Sequence, residues 1–177
     1  MPLGKPRKPL DYSQALSRCA SLCEQCEQCT PDLLAKMARW GVSHSDASKV
    51  ISKLESLRFV DDRRFARAFA HDKVCFSGWG RYKVIRGLMA KRLPREIIDI
   101  AMEGVEEEEY LDVLRRVTAS RLRRFEDEMP DYEERMKILR HLLQRGFESA
   151  LAVKTLREEL ARHREEIAAR EDEESEE

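Results

Sequence analysis

Residues 33–42 read LLAKMARWGV, residues 84–93 read VIRGLMAKRL and residues 138–147 read ILRHLLQRGF. The three stretches correspond by residue type: Leu33 with Val84 and Ile138, Leu34 with Ile85 and Leu139, Met37 with Leu88 and Leu142, Val42 with Leu93 and Phe147. The apolar positions of each fall on one helical face. The blocks start 51 and 54 residues apart, and each has an amphipathic segment before it and another after it. The spacing predicts three tandem units of three helices. Units this small cannot bury their apolar faces alone, so the sequence implies an all-α protein whose repeats stack into an elongated, curved array.

Helical periodicity fills the chain between the blocks. Tyr12, Ala15, Leu16, Cys19, Cys23 and Cys26 share one arc. Thr30-Pro31-Asp32 offers a cap and an N-terminal proline to the second helix. Asp61 or Asp62 can cap a fourth helix, whose inner stripe reads Phe65, Phe69, Phe76 before SGWG (77–80) interrupts it. Pro94 opens a sixth helix, and MPD (129–131) opens an eighth. No stretch alternates with the two-residue period of a strand. The expected organisation is a flexible basic arm (1–10), repeats at 11–60, 61–104 and 105–162, and an acidic disordered tail (163–177).

The 177 residues carry 33 Lys+Arg and 34 Asp+Glu, a net charge of -1, which excludes a uniformly basic nucleic-acid coat. The charge is segregated. Residues 158–177 have a balance of -7, leaving +6 for the rest, and residues 61–95 alone reach +7. A basic body therefore precedes an acidic end. The longest apolar runs are too short to span a membrane, and MPLGKPRKPL lacks an apolar signal core, so the expected location is the cytoplasm. Five cysteines, an odd number, do not suggest a disulfide framework.

Catalytic chemistry finds little support. Cys19, Cys23, Cys26 and Cys29 include the C-x3-C-x2-C spacing of radical-enzyme clusters, and thiolates so spaced could also hold zinc. However, Cys19, Cys23 and Cys26 lie on the arc of Tyr12 and Leu16, which favours reduced, metal-free core cysteines. His44, His71, His141 and His163 are scattered, and surface positions are expected for them. No phosphate loop or nucleophile elbow occurs, so no enzyme and no cofactor is expected. Asp72 falls on the Phe65–Phe69–Phe76 arc, and if buried it requires a basic partner, expected to be Arg81 or Arg86. Basic clusters offer the remaining chemistry. Arg81, Lys83, Arg86, Lys91 and Arg92 lie around the fifth helix, and Arg121 and Arg124 lie toward the end of the seventh. Such charges suit phosphates or an acidic protein surface.

FVDDRRFARAF (59–69), followed by GWGRYKVIRGLMAKRLPREII (78–98), resembles the central signature of RecX proteins, regulators of the RecA recombinase. The resemblance covers roughly residues 12–160. Arg92 stands where the family commonly has glycine, so an irregular turn is expected there. What the resemblance implies is a non-enzymatic modulator; a monomer is expected. It would sit in the groove of the RecA–DNA filament and inhibit strand exchange, ATPase and coprotease activities in DNA repair and the SOS response. The expected partner contacts are Arg81, Lys83, Arg86, Lys91, Arg92, Arg121 and Arg124, with weak DNA contact at most and no membrane. The alternative is a helical-repeat protein acting directly on nucleic acid.

Overall fold

The structure, a computed structural model, describes residues 8–125 and 127–176, with side chains through Asp172. Among the described residues there are nine α-helices and no strand. They are α1 (Tyr12–Gln25), α2 (Thr30–Arg39), α3 (His44–Ser56), α4 (Asp62–Cys75), α5 (Arg81–Ala90), α6 (Arg95–Glu103), α7 (Glu107–Leu122), α8 (Tyr132–Gln144) and α9 (Ser149–Glu176). Among the described residues, no helix is long and apolar enough to cross a membrane.

Short polar side chains start α1, α3 and α8. Asp11 and Gln14 form a reciprocal capping box on α1. Ser43 accepts from the Asp46 N–H at 3.1 Å, and Asp131 from the Glu134 N–H at 2.8 Å. One kind of ending recurs. The N–H groups of Val42, Phe59, Leu93 and Phe147 reach back to the carbonyls of Met37, Leu54, Leu88 and Leu142. Between each pair lies a left-handed residue: Gly41, Arg58, Arg92 or Gly146, with φ of 75°, 59°, 61° and 89°. These are Schellman closures of α2, α3, α5 and α8. Met37, Leu54, Leu88 and Leu142 are fully buried, so each closure is nailed to the core. The turn at Arg92 is therefore regular, contrary to expectation. Its arginine adopts the glycine conformation at a cost of about 1 kcal/mol.

The chain forms two compact units. The first comprises Met1–Ala68 and Leu88–Ile100. Its core gathers Ala15, Cys19, Leu33, Met37, Val50, Ile51 and Leu54, with α1 and α2 both packed on α3. The second comprises Phe69–Gly87 and Ala101–Glu177. There α7, α8 and α9 pack pairwise around Tyr110, Leu114, Ile138, Leu142, Phe147 and Leu156.

Several local expectations are corrected. Phe76 is 80% exposed, because α4 ends one residue before it and the helical arc no longer applies. Asp72 is exposed on α4; its neighbour is the His71 imidazole, 3.6 Å away, rather than Arg81 or Arg86. Cys19 and Cys29 are buried, Cys23 is half-buried, and Cys26 is exposed because it follows α1 as its C-cap. No disulfide joins any of the five cysteines. Thr30 is the first residue of α2 rather than its cap, a place taken by Cys29. His163 is buried, with Nε2 3.2 Å from the Glu128 carbonyl. The expected disordered tail is helical through Glu176. His163 and the Arg170–Asp127 ion pair, at 3.0 Å, hold that part of α9 against the 127–128 segment. Residues 1–7 of the expected arm lie outside the described residues. Leu10 donates to the Trp40 carbonyl at 3.2 Å, beside the end of α2.

Candidate functional site

The DDRRF stretch turns out to be structural. Asp61 caps α4, accepting from the N–H groups of Arg63 and Arg64 at 2.9 and 3.0 Å. Those backbone bonds, that of Arg64 foremost, hold its carboxyl below the usual range. Asp62 instead caps a different helix: it accepts from the Thr30 N–H at 2.7 Å, at the start of α2. Arg64 forks onto the Glu27 carboxylate and also reaches the Arg58 carbonyl, at 3.2 Å. Adjacent acids thus close two helices, and the arginine ties down the connection between α3 and α4.

The seven marked cations divide by role. In the second unit, Arg81 opens α5 as a strut. It pairs with Glu107 and, at 2.9 Å, with Glu148, and its guanidinium lies 4.0 Å from the Tyr110 ring centroid. Its side chain is 24% exposed, so the charge is largely spent internally. Lys83 lies 4.5 Å from the Trp79 ring centroid. Arg86 is exposed and has no ion-pair partner among the described residues. Arg121 sits against His141, with Nη2 3.0 Å from Nε2. Arg124 pairs with Glu134 and covers Phe125. In the first unit, Lys91 pairs with Asp32 at 2.6 Å, while Arg92 is exposed and unpaired among the described residues.

What the second unit does assemble is a basic groove along α7 and α8. One stretch is lined by Arg116, Arg121, His141 and Arg145, with Phe76 and Gly78 at its edge. The next is lined by Arg121, Arg124, Lys137, Arg140 and His141. Arg121 and His141 belong to both, and no acidic side chain lines either. Burial, and then the charges of Arg121, Arg145 and Lys83, push the His141 imidazole below its ordinary value, so it is neutral at pH 7. It is therefore free to accept from Arg145 Nε at 3.0 Å.

Two of the groove's cations are anchored to backbone. Arg116 donates to the Cys75 carbonyl at 2.6 Å, and Arg145 to the Ser77 carbonyl at 2.6 Å. Glu134, just outside, holds Arg124 and Lys137. Arg140 is exposed and unpaired among the described residues. At Arg121, Arg140 and Arg145 such a surface can receive a phosphate or carboxylate without displacing an acid, whereas at Arg124 and Lys137 an incoming anion competes with Glu134.

Sequence reading marked Arg121 and Arg124 but passed over Lys137, Arg140, His141 and Arg145. The signal was inside the block 138–147, where Arg140, His141 and Arg145 fill positions between the apolar ones. Those positions form the outer face of the helix whose inner face decides the fold.

Comparison with known proteins supplies the family. The description "RecX, second three-helix domain" matches residues 61–102, and "RecX, third three-helix domain" matches residues 107–156. Regulatory protein RecX of Prosthecochloris aestuarii is 30% identical over 149 residues, covering 84% of this chain and 95% of its own. Regulatory protein RecX of a Mycobacterium species is 24% identical over 161 residues, covering 89% and 88%. The crystal structure of RecX from Lactobacillus salivarius shares the fold, with a TM-score of 0.73 at 16% identity, over 83% of this chain and 95% of that one.

Proposed function

The chain belongs to the RecX family of regulatory proteins, and we propose that it regulates a RecA-type recombinase. In this reading a cytoplasmic monomer binds within the RecA–DNA filament. It inhibits strand exchange, ATPase and coprotease activities without catalysis of its own, and so acts in DNA repair and the SOS response. Besides family membership, one observation carries the proposal: the α7–α8 groove is lined by Arg121, Arg124, Lys137 and Arg140 with no acid among its lining residues. A nucleoprotein filament offers both carboxylates and phosphates to such a surface. We assign the contact to this groove, with Lys83 and Arg86 of the same unit as further cations; Arg92 belongs to the first unit and would make a contact of its own. Arg81 and Lys91 hold internal ion pairs and contribute through the fold.

The test is a triple variant, Arg121→Glu, Arg124→Glu and Arg140→Glu, added to RecA strand-exchange and ATPase assays. Each half-exposed or exposed charge contributes roughly 0.2–1 kcal/mol, and reversal adds repulsion. Half-inhibition should therefore require at least about tenfold more protein, while helical content stays as in the wild type. A folded triple variant that inhibits as strongly as wild type would place the interface elsewhere. The same groove also suits DNA phosphates, which keeps direct nucleic-acid binding as a second reading. That reading requires steeply salt-dependent binding to naked DNA, with a slope that falls by about one for each phosphate-binding cation removed.

A further inference from the structure

A second constellation, which the basic groove does not use, lies where α4 meets α7 in the second unit. His71 and Cys75 stand four residues apart on α4, so their side chains share one face a turn apart. Glu109, in the first turn of α7, faces them. One donor atom from each of the three lies within 4.8 Å of the others. Among the described residues no other three His, Cys, Asp or Glu donors converge in this way.

Further charged groups surround the three donors. The His71 ring is flanked on both nitrogens: Nδ1 is 3.6 Å from the Asp72 carboxylate, and Nε2 is 3.9 Å from Glu109. A carboxylate on one nitrogen presents the other to a metal, a common outer-shell arrangement for a zinc-bound histidine. The Cys75 side chain is hydrogen-bonded to the Glu109 carboxylate, and a cation would bridge the same two groups. Glu106, Glu108 and Asp112 line the adjoining hollow with Cys75 and Glu109, against the single cation Arg116.

From this geometry we infer that His71, Cys75 and Glu109 bind one zinc ion. Nitrogen, sulfur and carboxylate donors at about 2.0–2.3 Å from the metal are the set zinc takes, whereas magnesium and calcium prefer oxygen alone. Donors around a tetrahedral zinc lie about 3.5 Å apart, so closure needs modest swings of exposed or half-exposed side chains. Three protein ligands leave the fourth position to water. Zinc displaces the Cys75 proton to solvent, and the ion then ties α4 to α7. Cys19, Cys23, Cys26 and Cys29 are not part of this site, despite their motif-like spacing.

The experiment uses the full chain, stripped with a chelator and then titrated with zinc against a chromophoric competitor. Cobalt serves as a spectroscopic substitute. The expected result is one zinc per chain, a melting temperature raised by zinc, and affinity that climbs with pH as the thiol proton is released. Cobalt should give a thiolate charge-transfer band. Cys75→Ser should abolish that band, and Cys75→Ser and His71→Ala should each weaken zinc at least tenfold. Both variants should melt like the metal-free wild type, since both positions reach the surface. Cys26→Ser should keep band and affinity, and excess magnesium should not displace zinc. A band that survives in Cys75→Ser, or zinc displaced by magnesium, would overturn the assignment. The first would move the metal to the other cysteines; the second would reduce it to loose attraction by carboxylates.

Discussion

Tyr110 donates its phenolic proton to Glu148 across 2.5 Å, while the same oxygen accepts from the Arg81 N–H at 3.1 Å. Glu148 in turn holds the Arg81 guanidinium, which also reaches Glu107. The cluster joins the first turns of α5 and α7 to the residue that precedes α9. Tyr110 is fully buried, and burial together with the bond to Glu148 raises its hydroxyl well above the ordinary value. Tyr110→Phe leaves a half-buried carboxylate oxygen and a backbone N–H without this partner. The expected loss is about 1–3 kcal/mol in chemical denaturation, with the helical content unchanged in water.

Gly80 meets the turn after α8 backbone to backbone. Its N–H donates to the Arg145 carbonyl at 2.8 Å, and Tyr82 donates to the Gly146 carbonyl at 3.1 Å. A methyl group at Gly80 would fall 2.1 Å from the Phe147 nitrogen, with no flexible side chain to give way. Gly80→Ala should therefore cost about 3 kcal/mol, read as a lower urea midpoint. A wild-type midpoint would show that this contact is looser than the structure has it.

Arg92 should gain from a smaller side chain. Its φ of 61° is strained for arginine and easy for glycine, and the side chain is exposed and unpaired among the described residues. Arg92→Gly should stabilise by roughly 0.5–1 kcal/mol, with glycine's greater freedom in the unfolded chain offsetting part of the relief. Arg92→Ala, which keeps the Cβ, should gain nothing. If the two variants melt alike, strain at this turn is not what the arginine costs.

Glu159 lies on α9 with 3% exposure. Arg162 Nη1 is 3.1 Å from its Oε1, yet that oxygen receives no well-aligned hydrogen bond. Burial raises its carboxyl above the ordinary value more strongly than Arg162 lowers it. An acid with a raised folded value costs stability as pH rises past its unfolded value near 4.5. Glu159→Gln should consequently melt higher than wild type at pH 7, and the gap should shrink toward pH 4. A gap that widens on acidification would mean that the Arg162 pairing dominates.

The helices were legible because apolar periodicity reports burial directly. Leu33, Val84 and Ile138 are all buried, as are Met37, Leu88 and Leu142. Misreadings cluster where a helix stops. Phe76 and Cys26 continue an apolar arc on paper but lie just past the ends of α4 and α1. The basic site was harder to read because a charge's role depends on distant partners. Arg81 looks free until Glu107 and Glu148, 26 and 67 residues away, are placed beside it. Arg140 looks ordinary until α7 brings Arg121 to the same groove. The length of α9 was missed because acidic composition suggests disorder, whereas glutamate is a good helix former once one turn is anchored.

The first compact unit is discontinuous in the chain, joining Met1–Ala68 to Leu88–Ile100, and this sets an order of events during synthesis. The N-terminus of α2 gains its side-chain cap when Asp62 has emerged, and Asp32 finds its counter-ion when Lys91 has. At about 5–20 residues per second, the opening three helices wait seconds on the ribosome for the groups that complete them. Of those groups the DDRRF segment comes first, directly behind α3, and Lys91 is the clasp that arrives late.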